Sequence, residues 1–258
     1  MALVDIDVAN GVAVVTINDP RRRNAFFPET VTALVKAMDE VEADPGCGAV
    51  VITGTPPAFC GGSSLDILAE ADGETMLDMF EGFFRVARSP LPTIAAVNGA
   101  AVGAGMNLAL GCDVRLVGRS GYFDTRFMKL GLHPGGGHTW MLRNIVGPQN
   151  AAALLLFGDT VGGDDAVRVG LAYRCLPDDE LLAAARTMAE RAAAAPRDLI
   201  ESTKRVLGQM AAVDTHVDAV RHEHGPQQWS LRQPFFAEGL QRARDTIAAR
   251  RQPGPDPA

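Results

Sequence analysis

At 258 residues, with 47% hydrophobic and 21% charged positions, the chain has an ordinary globular composition and is long enough to bury a sizeable core. Its formal net charge of −7 argues against nucleic acid as the main partner, though not against a local basic patch for an anionic ligand. Cys47, Cys60, Cys112 and Cys175 show no CxxC spacing and no histidine at metal-ligand spacing, which predicts reduced thiols in a cytoplasmic protein and no metal site.

The start, Met-Ala-Leu-Val-Asp-Ile-Asp, is too acidic and its apolar run too short for a signal peptide. Leu3 to Val8 and Val12 to Ile17 flank Asn10-Gly11, a strong hairpin signal. Pro28 opens a helix with Val31, Leu34, Val35, Met38 and Val41 at helical spacing, ended by Asp44-Pro45-Gly46. A strand is expected at Ala49 to Thr53, a helix at Glu74 to Arg88, and a strand at Thr93 to Val97. A further helix from about Gly103 to Leu110 and a strand at Val114 to Val117 complete the alternation. That alternation predicts an α/β fold, mostly parallel after the first hairpin. Leu91 to Cys112 carries no charge and is long enough to cross a bilayer, but Pro92, Asn98, Asn107 and its glycines point instead to a buried strand-turn-helix. No membrane partner is expected.

Beyond Gly131 comes the loop Leu132-His133-Pro134-Gly135-Gly136-Gly137-His138, then an alanine-rich, mostly helical remainder. Helices are expected over Leu181 to Ala195, Asp198 to Met210 and Phe235 to Arg251. The division is a core over 1–195 and a helical region over 196–258, with 252–258 as a disordered tail. No internal repeat is visible.

Two glycine-rich bends concentrate the chemistry. Phe59-Cys60-Gly61-Gly62-Ser63-Ser64-Leu65 follows one apolar run, and Val97-Asn98-Gly99 to Gly105 follows another. Each reads as a strand turning into a helix start, where N–H groups lack intrahelical partners. Two such groups aimed at one spot would polarise a carbonyl. Gly103-Ala104-Gly105 is not a dinucleotide fingerprint, because Leu108 stands where the third glycine belongs. No Gly-Lys-Ser/Thr makes a P-loop, and Ser63-Ser64 lacks a nucleophile elbow.

Taken together, Arg22-Arg23-Asn24-Ala25, Ala58 to Ser63, Val97 to Gly105 with Leu108-Ala109 and Cys112-Asp113, Lys129-Leu130-Gly131 and Pro134 to Gly137 resemble the enoyl-CoA hydratase/isomerase (crotonase) superfamily over nearly the whole chain. The resemblance implies a spiral of ββα units with a helical C-terminal region, assembled as a homotrimer or a dimer of trimers. It also implies an acyl-CoA thioester substrate, with coenzyme A as part of that substrate and no other cofactor. The thioester oxygen would lie between the backbone N–H groups of Ser63 and Ala104. Arg22 or Arg23 would meet the CoA phosphates, unless they form only a solvated basic turn. Ala25, Cys60, Gly62, Ser64 and Leu65 would line the acyl and pantetheine path.

The acids that resemblance leads one to expect are missing. The two glutamate positions fall at Asn107 and Phe127, and the isomerase aspartate at Gly135. An amide cannot take a proton near neutral pH and a phenyl ring can do neither job, so two-glutamate hydration should be absent or slow. His133 and His138 flank the glycine loop and are candidate replacements, or else histidines with no part in the chemistry. Asp66 could approach the thioester or merely start a helix. Asp124 is expected to pair with Arg126, and His216, His222 and His224 to lie on a solvated face. The readings are an acyl-CoA-acting hydratase/isomerase-type enzyme with an altered acid/base set, or a non-catalytic acyl-CoA-binding protein. A weaker one is an interaction subunit that assembles through its helical C-terminus.

Overall fold

A computed structural model describes residues 2–70 and 72–250; the predicted tail, and Arg251 at the end of the last predicted helix, lie outside the described residues. Asn10 and Gly11 both take positive φ, 51° and 74°, as a tight turn between antiparallel strands requires. They join β1 (Val4–Ala9) to β2 (Val12–Ile17), paired from Val4 opposite Ile17 to Ala9 opposite Val12. Helix α1 (Pro28–Ala43) follows and buries Val31, Leu34, Met38 and Val41.

Three turns of two strands and a helical segment come next. The first is β3 (Ala49–Gly54) and β4 (Ala58–Cys60), then α2 (Leu65–Glu70) and α3 (Gly73–Ala87). The second is β5 (Thr93–Val97), β6 (Ala100–Val102) and α4 (Ala104–Gly111). The third is β7 (Val114–Gly118), β8 (Tyr122–Asp124) and α5 (His138–Leu156). After these come β9 (Thr160–Gly162), α6 (Gly163–Arg168), β10 (Arg174–Leu176) and α7 (Leu181–Ala193).

In each turn the first strand joins one sheet and the second joins another. The larger sheet has the order β1-β2-β3-β5-β7-β10, the smaller β4-β6-β8-β9. This is a spiral, a repetition the sequence hides because β4, β6 and β8 are three residues each and too short to show a period. Pairing in the larger sheet is parallel after the hairpin, and in the smaller sheet only β8–β9 is antiparallel. Strands β9 and β10 are short interruptions in a remainder that is otherwise mostly helical, as expected.

The large sheet is covered on both faces, so its strands are apolar at successive positions rather than at every other one. Ala13, Val15, Ile17, Val50, Ile52, Ala95 and Val97 pack with α1, α3 and α4. Val12, Val14, Ala49, Val51, Ile94 and Ala96 face α7, which presents Leu181, Ala185 and Ala189 four residues apart. Helix α4 is buried from Gly105 to Leu110, which accounts for the uncharged stretch Leu91 to Cys112. Among the described residues no helix is long and apolar enough to cross a membrane, and none of the four cysteines is in a disulfide.

The chain divides into two compact units at Ala195/Pro196. The second consists of α8 (Arg197–Gln209), α9 (His216–Ser230) and α10 (Pro234–Arg250). A groove of about 300 Å³ runs between α8 and α9.

Helix α4 reaches β4 by backbone contact. A Cβ added at Gly105 would lie 2.1 Å from the Cys60 carbonyl oxygen and 2.8 Å from the Cys60 Cβ. Gly105→Ala should therefore push α4 off β4 and cost about 2–3 kcal/mol in urea unfolding; an unchanged midpoint would show that the packing of α4 on β4 does not require glycine there.

Candidate active site

The two glycine bends end neighbouring strands. Strands β4 and β6 pair in parallel, Ala58 with Ala100 and Cys60 with Ala101, so their C-terminal ends emerge side by side. Past β4, Gly61 N–H donates to the Arg23 carbonyl (2.9 Å), Phe26 N–H to the Gly62 carbonyl (2.8 Å) and Ser64 N–H to the Phe26 carbonyl (3.0 Å). The intervening Ser63 N–H points away from Phe26 and has no acceptor among the described residues. Gly62 sits at φ 93°, and a Cβ there would be 2.6 Å from the Val102 carbonyl oxygen, so only glycine lets the two bends close up.

Past β6, Gly103 at φ 50° donates its N–H to the Asp124 carbonyl (3.0 Å) and α4 begins at Ala104. The Ala104 N–H, first in its helix, has no intrahelical acceptor and no other among the described residues. Ser63 and Ala104 both face one cavity of about 210 Å³. Two unpaired donors at one wall can hold a carbonyl oxygen and favour its anionic form.

The rest of the wall is mostly apolar. Helices α2 and α3 bring Leu65, Leu68, Met76 and Phe80, and the segment after β8 brings Phe127, Leu130 and Leu132. Its polar side chains include Asn107, Thr125, Arg126 and His133, and no carboxylate is among the described residues of the wall. Arg126 is paired with the buried Asp124, Nε to Oδ2 at 2.8 Å, with Lys129 3.7 Å from the same oxygen. Asp124 is thus engaged away from the cavity.

His133 is exposed at the cavity edge. Its Nδ1 lies 2.8 Å from the Pro134 carbonyl, which can only accept, so Nδ1 donates there and in the neutral ring Nε2 holds the lone pair. His138 differs: it is fully buried and does not line the cavity. Its Nδ1 meets Asn107 Oδ1 at 2.5 Å, its ring stands edge-on to Phe127 at 4.9 Å, and its Nε2 has no partner. Burial lowers its pKa from 6.5 to about 4, so the ring is neutral near pH 7. The expectation that it could be the base is corrected, because a proton acceptor must reach the substrate.

Of the residues expected at the site, the cavity brings together Gly62, Ser63, Leu65, Ala104, Asn107, Phe127 and His133. It does not include Cys60, whose side chain is buried toward α4 and whose thiol burial pushes up to about 12, out of reach of thiolate chemistry. Ser64 is buried and outside the wall, Ala25 is half-buried, and Asp66 is exposed in the first turn of α2. Arg22 is tied to Asp19 and, at 3.0 Å, to Glu29, and stacks on the Phe27 ring at 3.8 Å. Arg23 is exposed, and its carbonyl holds Gly61. Asn24, quoted only as part of a pattern, is fully buried and donates from Nδ2 to the Thr55 and Ala58 carbonyls at 2.8 and 2.7 Å, pinning the loop before β4. Thr125, Arg126, Leu68, Met76 and Phe80 were not foreseen.

Spiral and paired strand ends define a crotonase fold. A crystal structure of a probable enoyl-CoA hydratase/isomerase from Mycobacterium abscessus has a TM-score of 0.86 and 29% identity, covering 95% of this chain and 96% of that one. The chain belongs to the enoyl-CoA hydratase/isomerase family, whose model matches residues 7–244. A probable enoyl-CoA hydratase of Mycobacterium tuberculosis is 46% identical over 91% of this chain and 94% of its own length. The 1,2-epoxyphenylacetyl-CoA isomerase of Escherichia coli is 32% identical over 90% and 92%.

Burial of neutral His138 has a consequence for stability. The unfolded ring takes its proton near 6.5 and the folded one near 4, so the unfolded state binds more protons between those values. The contribution is present above pH 6.5 and lost as pH falls toward 4, about 3 kcal/mol in all. Urea unfolding at pH 7 and pH 4 should show wild type losing that much more stability than His138→Leu. Parallel losses in the two proteins would mean the ring is not held neutral.

Proposed function

We propose that the protein binds an acyl-CoA thioester with its carbonyl oxygen on the N–H groups of Ser63 and Ala104, and moves a proton on the bound acyl chain through an enolate. The observation that carries this reading is two unpaired main-chain donors on one mostly apolar cavity whose wall offers a histidine and, among the described residues, no carboxylate. Each donor would stabilise the enolate oxygen by about 3 kcal/mol. His133 Nε2 takes the proton from the carbon next to the carbonyl and returns it at the same carbon or further along the chain. A single base suits such a shuttle. Adding water needs groups that hold and deprotonate it, which Asn107 and Phe127 do not provide. Similarity to the 1,2-epoxyphenylacetyl-CoA isomerase of E. coli supports isomerisation of a CoA thioester. No metal or further cofactor enters the chemistry.

A second reading, acyl-CoA binding without turnover, is favoured by Phe127, whose ring makes the wall dry where a carboxylate would be needed. We further infer a homotrimer or dimer of trimers in the cytoplasm, supported by exposed apolar side chains such as Leu156, Phe157 and Leu207 that an interface would cover. Light scattering should read three or six chains; a monomer would remove this inference.

Mass spectrometry of acyl-CoA and 2-enoyl-CoA thioesters incubated with the protein in deuterated water separates the readings. Deuterium exchange or a shifted double bond, without gain of water, supports the proton shuttle. Gain of one water would overturn it in favour of hydration, and an unaltered panel with measurable binding would favour the carrier. Because the donors are main-chain groups, Ser63→Ala should exchange close to wild type. Ser63→Pro, which deletes the N–H, should lose about 100-fold or more. Equal loss in both folded variants would assign the role to the hydroxyl.

A further inference from the structure

His138, Asn107 and Gly135 form one hydrogen-bonded chain that ties two residues of the cavity wall to a buried histidine. Asn107 Nδ2 donates to the Gly135 carbonyl at 3.1 Å, and Asn107 Oδ1 faces His138 Nδ1 at 2.5 Å. The orientation of the amide is fixed by chemistry, since a carbonyl cannot donate and a flipped Asn107 would set its oxygen against that of Gly135. His138 must therefore carry its proton on Nδ1, leaving Nε2 as the orphaned atom beside Phe127. One hydrogen of Nδ2 and one lone pair of Oδ1 are thereby engaged, so this side chain is a crosslink between His138 and Gly135.

What the crosslink holds is the turn that carries His133. Gly135 follows Pro134, whose carbonyl accepts from His133 Nδ1. Gly136 is packed so tightly that a Cβ would lie 2.4 Å from the Phe83 ring and 3.0 Å from Asn107 Nδ2. A helix buried in the core, α4, thereby grips the loop from inside through one side chain. The grip depends on an imidazole donor at the first residue of α5.

We infer that His138 is a positioning residue, which through Asn107 and the Gly135 carbonyl fixes the turn presenting the His133 imidazole to the cavity. The role of His133 as base rests on the function proposed above; the positioning of its ring does not. Leucine at 138 fills similar space without a donor, whereas asparagine can place an N–H where Nδ1 now stands.

Two measurements on the full chain test this. Long-range proton–nitrogen spectra of the imidazoles should show His138 protonated at Nδ1 only in wild type at neutral pH; protonation at Nε2 would overturn the inference with no variant needed. In the same spectra His138→Leu should move the His133 ring nitrogens and the Gly135 to Gly137 amides, and His138→Asn should restore them. Unmoved His133 signals in a folded His138→Leu would overturn it too. In the exchange assay, His138→Leu should lower turnover about tenfold or more at nearly unchanged acyl-CoA affinity, again restored by asparagine. A wild type inert toward every thioester would remove the proposed function, while the ring spectra would still decide the positioning.

Discussion

Everything the cavity can do depends on one close approach, that of the first turn of α4 to the end of β4. Gly105 lies against the Cys60 carbonyl and Gly62 against the Val102 carbonyl, distances that a single Cβ on either residue would break. Because β4 and β6 are parallel neighbours, their chain directions agree and the bends that end them open the same way. Each bend then leaves one N–H unspent. A side-chain hydroxyl could supply a donor with less demanding packing, but it would rotate. Main-chain donors held on two strand ends need no reorganisation when charge develops opposite them, which is where an oxyanion site gains most of its effect.

The side chains around those donors are arranged to keep negative charge out. The buried carboxylate Asp124, three residues before Phe127, is consumed by Arg126 and Lys129, and the histidine deepest in the fold is held neutral by burial. Asn107 occupies a place where an ionised acid would face the Gly135 carbonyl at hydrogen-bond distance, a repulsive pairing in a poorly solvated spot. A glutamate installed there could still accept from His138 Nδ1 but would lose the donor that Gly135 uses, and could regain it only by carrying a proton itself. Conversion to a two-glutamate site is thus opposed by the Gly135 carbonyl, and not by the identity of residue 107 alone.

The legible parts of this chain were those encoded locally. Asn10-Gly11 specifies its hairpin because both residues tolerate positive φ, and Val50 to Ile52 declare a strand buried on both faces by having no polar position. The two donors were legible for the same reason: main-chain groups at glycine bends do not depend on which way a side chain turns. Cys60 and Ser64 were expected at the cavity because they adjoin Gly61 to Ser63 in sequence. Alternation along an extended chain instead sends Cys60 into the core. Arg22 satisfies its charge on Asp19 and Glu29, within its own turn and the helix after it. Leu68, Met76 and Phe80 reach the wall only through the packing of α2 and α3, which no local pattern specifies. His138 was visible as a histidine beside a glycine loop, but its burial was not, since it follows from the contact of α4 with α5.

That burial raises an energetic question, because an unpartnered ring nitrogen in the core costs about 1–3 kcal/mol. An apolar residue at 138 would remove that cost, yet it would strip Asn107 Oδ1 of its donor and leave another buried polar atom unsatisfied in exchange. Removing Asn107 as well would free Gly135, whose carbonyl then needs a new donor at the rear of the turn. Each simplification moves the orphan closer to the cavity. Keeping it on Nε2 of His138, a residue that does not line the cavity, is the arrangement in which the unsatisfied atom disturbs the reacting groups least. A neutral imidazole suits the place because it can give a proton-bearing nitrogen to Asn107 without bringing a charge into the interior.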